Sequence, residues 1–251
     1  MGDGMMAETV TIAGHGGDEI EAYLGFPTDE GRYGGVVVIH HMPGYDRPTK
    51  EIVRTFAVGG YSALLPNLYH RIAPGAKPND AAKLAIEAGG VSDEQCMGDL
   101  KGAADHLRAL PSSNGKVGVI GYCSGGRQAY VAACLLDFDA AVDCYGGRVV
   151  AAPEELTPLR PVAPIDLTPK MNTPLLGLFG AKDSNPDPDQ VAKIEAALKA
   201  HGKEYEFHTY PEAGHAFFSV DRDGYYNVDA TREGWKRIWD FFGRHLASTG
   251  G

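Results

Sequence analysis

Residues 116–130 read KVGVIGYCSGGRQAY: an apolar strand, a Gly-Tyr-Cys-Ser-Gly turn, then a segment that continues as a helix. The G-x-C-x-G spacing is that of a nucleophile elbow, with Cys123 where serine more often stands. Such a turn holds the nucleophile on a strained peptide between strand and helix. Glycines two residues to either side, Gly121 and Gly125, are needed because a Cβ there meets neighbouring backbone. The turn aims the thiol at the N-terminus of the following helix, whose dipole and N–H groups favour a thiolate. A glycine-rich turn with an inert buried cysteine is the competing interpretation of these residues taken alone.

A thiol nucleophile needs a base and a group that orients the base, in the chain order nucleophile, acid, histidine. The apolar run PLLGLFGAKD ends in Asp183, and YEFHTYPEAGHAFF places His215 after a strand. Both candidates lie just beyond the C-terminal ends of strands, where open α/β sheets build their sites. A turn-capping carboxylate and a loop histidine are the bland alternatives for either residue singly. The order and positions of all three together favour the triad Cys123, Asp183 and His215. The stretch DSNPDPD from Asp183 resembles a calcium loop but carries Pro188 where glycine is required and Ile194 where a bidentate glutamate belongs. Asp187 and Asp189 are instead expected to start and cap a helix. An oxyanion hole needs two backbone N–H groups. The pattern assigns them to Ser124, after the nucleophile, and to Met42, in the loop after the third strand, with the Pro43-Gly44 turn holding that loop.

The elements that must position these residues alternate along the chain. Strands are predicted at 9–13, 20–26, 35–40, 62–66, 116–120, 140–145, 175–180 and 205–210. Helices are predicted at 49–58, 80–88, 93–110, 124–136, 189–201 and 230–246. The first two strands alternate polar and apolar, as an antiparallel edge does; the later ones are taken as buried parallel strands. The expected architecture is a single α/β domain over 1–251: a mostly parallel eight-stranded sheet flanked by helices. Residues 147–173 carry five prolines and no periodicity, and are expected to form a loop on the lid side of the site. The tail from 248 is expected to fray.

A chain of 251 residues supports one large core, and its formal charge of −10 argues against nucleic acid or anionic membrane as a partner. The first residues lack the basic and apolar regions of a signal peptide, and no apolar run reaches membrane-spanning length, so a cytoplasmic location is expected. Four cysteines, Cys96, Cys123, Cys134 and Cys144, show no CxxC spacing; all but Cys123 are expected to be small buried hydrophobes. His40 and His41 leave a strand toward opposite sides and lack a third ligand, so no metal or cofactor is expected. Tyr69, His70 and Arg71 follow the strand ending near Leu65 and are candidates to line the site, with Arg71 a possible anion clamp and a surface ion pair the alternative.

GGVVVIHHMPGYD at 34–46, GYSALLPNLYHRIAP at 60–74, NGKVGVIGYCSGG at 114–126 and EAGHAFF at 212–218 together resemble the dienelactone hydrolase family of the α/β-hydrolase superfamily, across nearly the whole chain. The resemblance implies the α/β-hydrolase fold, the triad Cys123, Asp183 and His215, and cleavage of a small-molecule ester or lactone by a monomer or homodimer. It also implies that Arg71 is the first of two arginines gripping a substrate carboxylate. The sequence departs from the family at two places. His41 stands where dienelactone-cleaving members carry an activating glutamate, and is expected to face and tune the site. Ser219 stands near the place of the second arginine. A general carboxylesterase or thioesterase acting on neutral acyl groups is therefore the second expectation. A redox sensor leaves His215 unexplained, and a non-catalytic binding relative leaves the complete triad unexplained.

Overall fold

The structure, a computed structural model, describes residues 4–247; the expected fraying of the tail from 248 lies outside them. Eight strands form one sheet in the order β1-β2-β4-β3-β5-β6-β7-β8. β1 (Met5–Ala13) pairs with β2 (Glu19–Pro27), and β2 with β4 (Ser62–Pro66), both antiparallel. Every later pairing is parallel: β3 (Tyr33–Ile39), β5 (Ser113–Tyr122), β6 (Ala140–Cys144), β7 (Leu175–Gly180) and β8 (Tyr205–Tyr210).

The parallel strands read as continuous apolar runs because both of their faces are covered. Along β3, Val36 and Val38 enter one core while Val37 and Ile39 enter the other. Helices α1 (Arg47–Val58) and α6 (Val228–Leu246) cover the first face through Val53, Phe56, Ile238 and Phe241. Helices α2 (Pro78–Glu87), α3 (Asp93–Ala109), α4 (Ser124–Leu135) and α5 (Pro188–Ala200) cover the second through Ala85, Leu100, Ala129 and Ile194. β8 departs from the expectation of a buried strand. It is parallel to β7 but forms the far edge, and its residues are half-buried or exposed. Its sequence YEFHTY mixes polar and apolar residues, as the edge position allows.

Helix starts follow local chemistry. The Asp46 carboxylate accepts from Thr49 N–H at 2.9 Å, and Pro48 occupies the first turn of α1. Asp187 caps α5 and shares a reciprocal capping box with Gln190. Residues 147–173 contain two short 3-10 turns and are tied to the body by Asp93 N–H donating to Leu159 C=O and Lys203 Nζ donating to Met171 C=O. No described helix is long and apolar enough to cross a membrane.

Candidate active site

The turn between β5 and α4 puts Cys123 at φ 56°, ψ −118°, which costs a non-glycine residue on the order of 1–3 kcal/mol. Surrounding backbone over-determines it. Cys123 N–H donates to Cys144 C=O at 3.0 Å, and its own carbonyl accepts from Arg127 N–H. A Cβ on Gly121 would stand 1.9 Å from Gly125 O, and one on Gly125 would stand 2.5 Å from Ile39 O. Both flanking glycines are therefore compelled by close approach. Cys96, Cys134 and Cys144 are buried thiols, whereas Cys123 is partly open. Burial pushes the Cys134 thiol up to about 12, out of the range of a nucleophile.

Asp183 and His215 meet where the ends of β7 and β8 bring them. His215 Nδ1 donates to Asp183 Oδ2 at 2.8 Å; the carboxylate side chain is 1% exposed. Its other oxygen accepts from Asn185 N–H at 2.9 Å, so the carboxylate is fixed from both sides. Burial alone lowers the pKa of His215. Hydrogen bonds to Asp183 and Cys123, with the charges of both, overcome that and raise it to about 10. Tyr145 sets its ring edge-on against the imidazole, centroids 5.2 Å apart. No motif in the sequence singles out this tyrosine.

The loop after β3 is held by contacts on the peptide joining His41 and Met42. The His41 carbonyl accepts from Gly44 N–H at 2.9 Å and from His40 Nδ1 at 2.8 Å. In a trans peptide the N–H points opposite to the carbonyl, so the same two donors orient Met42 N–H. Tyr69 Oη donates to Met42 C=O at 2.8 Å and fixes the next peptide. Met42, Ser124 and Cys123 all border one cavity.

Two cavities meet at Cys123 and His215. The first, about 650 Å³, is bounded by His40, Tyr69 and Ser124, and by Arg127, Arg148 and Arg160. The second, about 740 Å³, is bounded by His41, Ile52, Tyr122, Phe218, Val220 and Trp235. Tyr225 borders both. The adjacent histidines separate as expected, one into each cavity, but the ring facing the first cavity is His40. His40 is 3% exposed, packs edge-on against Tyr69, and its Nε2 has no partner among the described residues. Burial lowers its pKa to about 4, so it is a neutral imidazole. His41 lies beside the second cavity with its Nε2 committed to Asp46 Oδ2 at 2.7 Å. Burial acts to raise the Asp46 pKa, but hydrogen bonds from His41 and Thr49 carry it below the ordinary carboxylate value.

Arg71 is not brought to the site. Its guanidinium forms a two-armed pair with Asp99, at 3.0 and 3.1 Å, and a third contact to Asp18 at 2.8 Å, and it lines neither cavity. Asp99 is fully buried in α3 and needs this cation, which draws Arg71 away from Cys123. The arginines that border the first cavity are on α4 and on the proline-rich segment. Arg127, in the first turn of α4, is fastened by both arms to Asp93 at 2.6 and 2.9 Å.

Sheet order, elbow and the position of the candidate triad define an α/β-hydrolase. The sequence profile of the dienelactone hydrolase family matches residues 20–246, and the chain belongs to that family of ester- and lactone-bond hydrolases. A Salmonella typhimurium protein with the provisional name carboxymethylenebutenolidase is 31% identical over 258 residues, spanning 99% of this chain and 91% of its own. A Yersinia pestis protein of the same provisional name is 33% identical over 239 residues, spanning 92% of this chain and 86% of its own. The crystal structure of a provisionally named dienelactone hydrolase from Klebsiella pneumoniae matches with a TM-score of 0.87 at 30% identity, covering 96% of this chain and 100% of that one.

Proposed function

We propose that the chain hydrolyses esters or lactones by covalent catalysis at Cys123. The observation that carries this reading is the strained elbow presenting Cys123 beside a histidine that Asp183 holds through Nδ1. Asp183 stabilises the His215 imidazolium, so the imidazole takes the Cys123 proton and the attacking group is the thiolate paired with it. Sγ adds to the carbonyl carbon, and the developing oxyanion is met by the Met42 and Ser124 N–H groups. Collapse of the adduct breaks the carbon–oxygen bond, and His215 gives its proton to the departing alkoxide. The products of this half are an acyl-thioester on Cys123 and an alcohol, which stays attached when the substrate is a lactone. Water then attacks the thioester with His215 taking its proton. The acid departs and the thiolate–imidazolium pair returns.

The test is turnover of an activated ester such as 4-nitrophenyl acetate, with the reaction quenched and the protein digested. Acyl mass on the peptide containing Cys123 is expected, and Cys123→Ala should show neither adduct nor turnover. Undiminished hydrolysis by Cys123→Ala would refute the mechanism. Action on neutral acyl groups, as a carboxylesterase or thioesterase, is the second reading; the apolar wall of Ile52, Phe218 and Trp235 favours it.

A further inference from the structure

The two cavities that meet at Cys123 differ in electrostatic character. The second has apolar walls, and its rim carries Arg47 and Arg222 against Glu51 and Asp221, which balance. The first carries three arginines, of which only Arg127 has a carboxylate partner, Asp93. Arg148 and Arg160 form no ion pair with any described Asp or Glu side chain, although the chain has 33 acidic residues to 23 basic ones. Two cations without an ion-paired carboxylate in a cavity wall of a protein with a charge of −10 focus a local field that attracts anions.

The placement of Arg160 is built. Its Nε is buried without a partner among the described residues, and its backbone is pinned by the Thr157 bridge and by Leu159 C=O accepting from Asp93 N–H. Its guanidinium lies against Gly90, where a Cβ would fall 2.3 Å from Nη2; Gly90 itself has φ +93°. Burial first, then the like charges of Arg127 and Arg148, lowers its pKa against the opposing pull of Asp93. An anion beside it would relieve that repulsion.

Resting on the ester-hydrolase reading above, we propose that the preferred substrate is an open ester with two unlike halves. One side of the scissile carbonyl carries an anionic group held by Arg160 and Arg148; the other carries an aryl or alkyl group held beside Ile52 and Trp235. The anion grip thus comes from the proline-rich segment and not from the loop after β4, where Arg71 is spent on Asp99. The acyl and alkoxy arms of an open ester diverge from the carbonyl and reach both cavities. A small lactone ring folds its two arms together and fills one. Planar guanidinium groups match carboxylate and phosphate oxygens alike.

Binding to the Cys123→Ala protein, measured by calorimetry, separates this proposal from the catalytic one. The probes are monobenzyl esters of succinate, glutarate and adipate, the matching neutral benzyl methyl diesters, the monomethyl esters, and a monobenzyl ester ending in phosphonate. The best monobenzyl ester should bind at least tenfold tighter than both its neutral diester and its monomethyl counterpart. Arg160→Gln should erase the preference for the anion and keep that for benzyl; Ile52→Asn should do the reverse. That crossed pattern cannot arise from misfolding. A tighter phosphonate assigns phosphate as the anion, and a tighter carboxylate assigns carboxylate; both support the site. Equal affinity for charged and neutral esters, or equal losses in both preferences with either variant, would overturn it. Loss of 4-nitrophenyl acetate hydrolysis in the wild type would instead refute the catalytic reading and leave the binding result standing.

Discussion

His40→Leu separates catalysis from stability. The substitution removes one hydrogen bond to the His41 carbonyl, about 0.5–1.5 kcal/mol, and an edge-on contact with Tyr69, about 0.5–1.5 kcal/mol. It also removes a buried Nε2 without a partner, whose desolvation costs about 1–3 kcal/mol. These terms nearly cancel, so at pH 8 the variant should match the wild type within about 1 kcal/mol in urea unfolding. Catalysis should not be spared. Loss of an oxyanion-hole donor costs about 10²- to 10³-fold in kcat, and since Gly44 still holds the His41 carbonyl, a fall of about 10- to 100-fold with little change in KM is expected. His40→Asn places an amide N–H where Nδ1 stood and should restore most of the rate. A pH series adds an independent reading. His40 in the fold has its pKa lowered to about 4, against 6.5 in an unfolded chain. The unfolded state therefore takes up a proton first. This contribution to stability is full above pH 6.5 and is lost as pH falls toward 4, at about 1.4 kcal/mol per unit. At pH 5 the wild type should have lost about 2 kcal/mol that His40→Leu keeps. A variant with unchanged kcat, or leucine and asparagine variants with equal rates, would refute the assignment of His40 to the Met42 peptide.

Cys123, Asp183 and His215 should act as a unit: Cys123→Ala with His215→Ala should cost little more in kcat than either change alone, and a multiplicative loss in the double variant would refute the shared mechanism. Arg71→Leu should lower unfolding free energy by about 3–5 kcal/mol, because it strands the fully buried Asp99, while kcat/KM toward anionic and neutral esters keeps the wild-type ratio. A selective loss on anionic esters would return Arg71 to the substrate. His41→Glu sets a second carboxylate against Asp46, where the wild type has a 2.7 Å contact, and weakens the cap of α1; thermal melting should show a clear loss, and His41→Gln a smaller one. An unchanged melting temperature in His41→Glu would show that the Asp46 contact contributes nothing.

The parts of the molecule legible in the sequence are those set by short-range constraint. A parallel strand covered on both faces must be apolar throughout, so β3, β5, β6 and β7 announce themselves; β8, an edge strand whose residues are half-buried or exposed, does not follow that rule. The elbow is legible because backbone collisions at 121 and 125 leave no choice but glycine. Asp183 and His215 could be named because a parallel sheet delivers the ends of successive strands to one edge. The charged walls of the site obey no such local rule. Arg71 and Arg160 are similar in sequence terms, each an arginine in an irregular segment near the open edge of the sheet. The difference lies in their distant partners. Arg71 meets Asp99, a buried carboxylate 28 residues away that must be neutralised; Arg160 sits with Arg127 and Arg148, which repel it, and the acid beside them, Asp93, is already bound by both arms of Arg127. Arginine is therefore spent on structure wherever a buried acid needs it, and remains available to a ligand only where none does. The same reasoning explains the two histidines. His41 has an acid within hydrogen-bond reach and turns to it, while His40 donates its Nδ1–H to a backbone carbonyl and thereby orients the candidate oxyanion hole. In this fold, charge pairing decides which polar residues are left for chemistry.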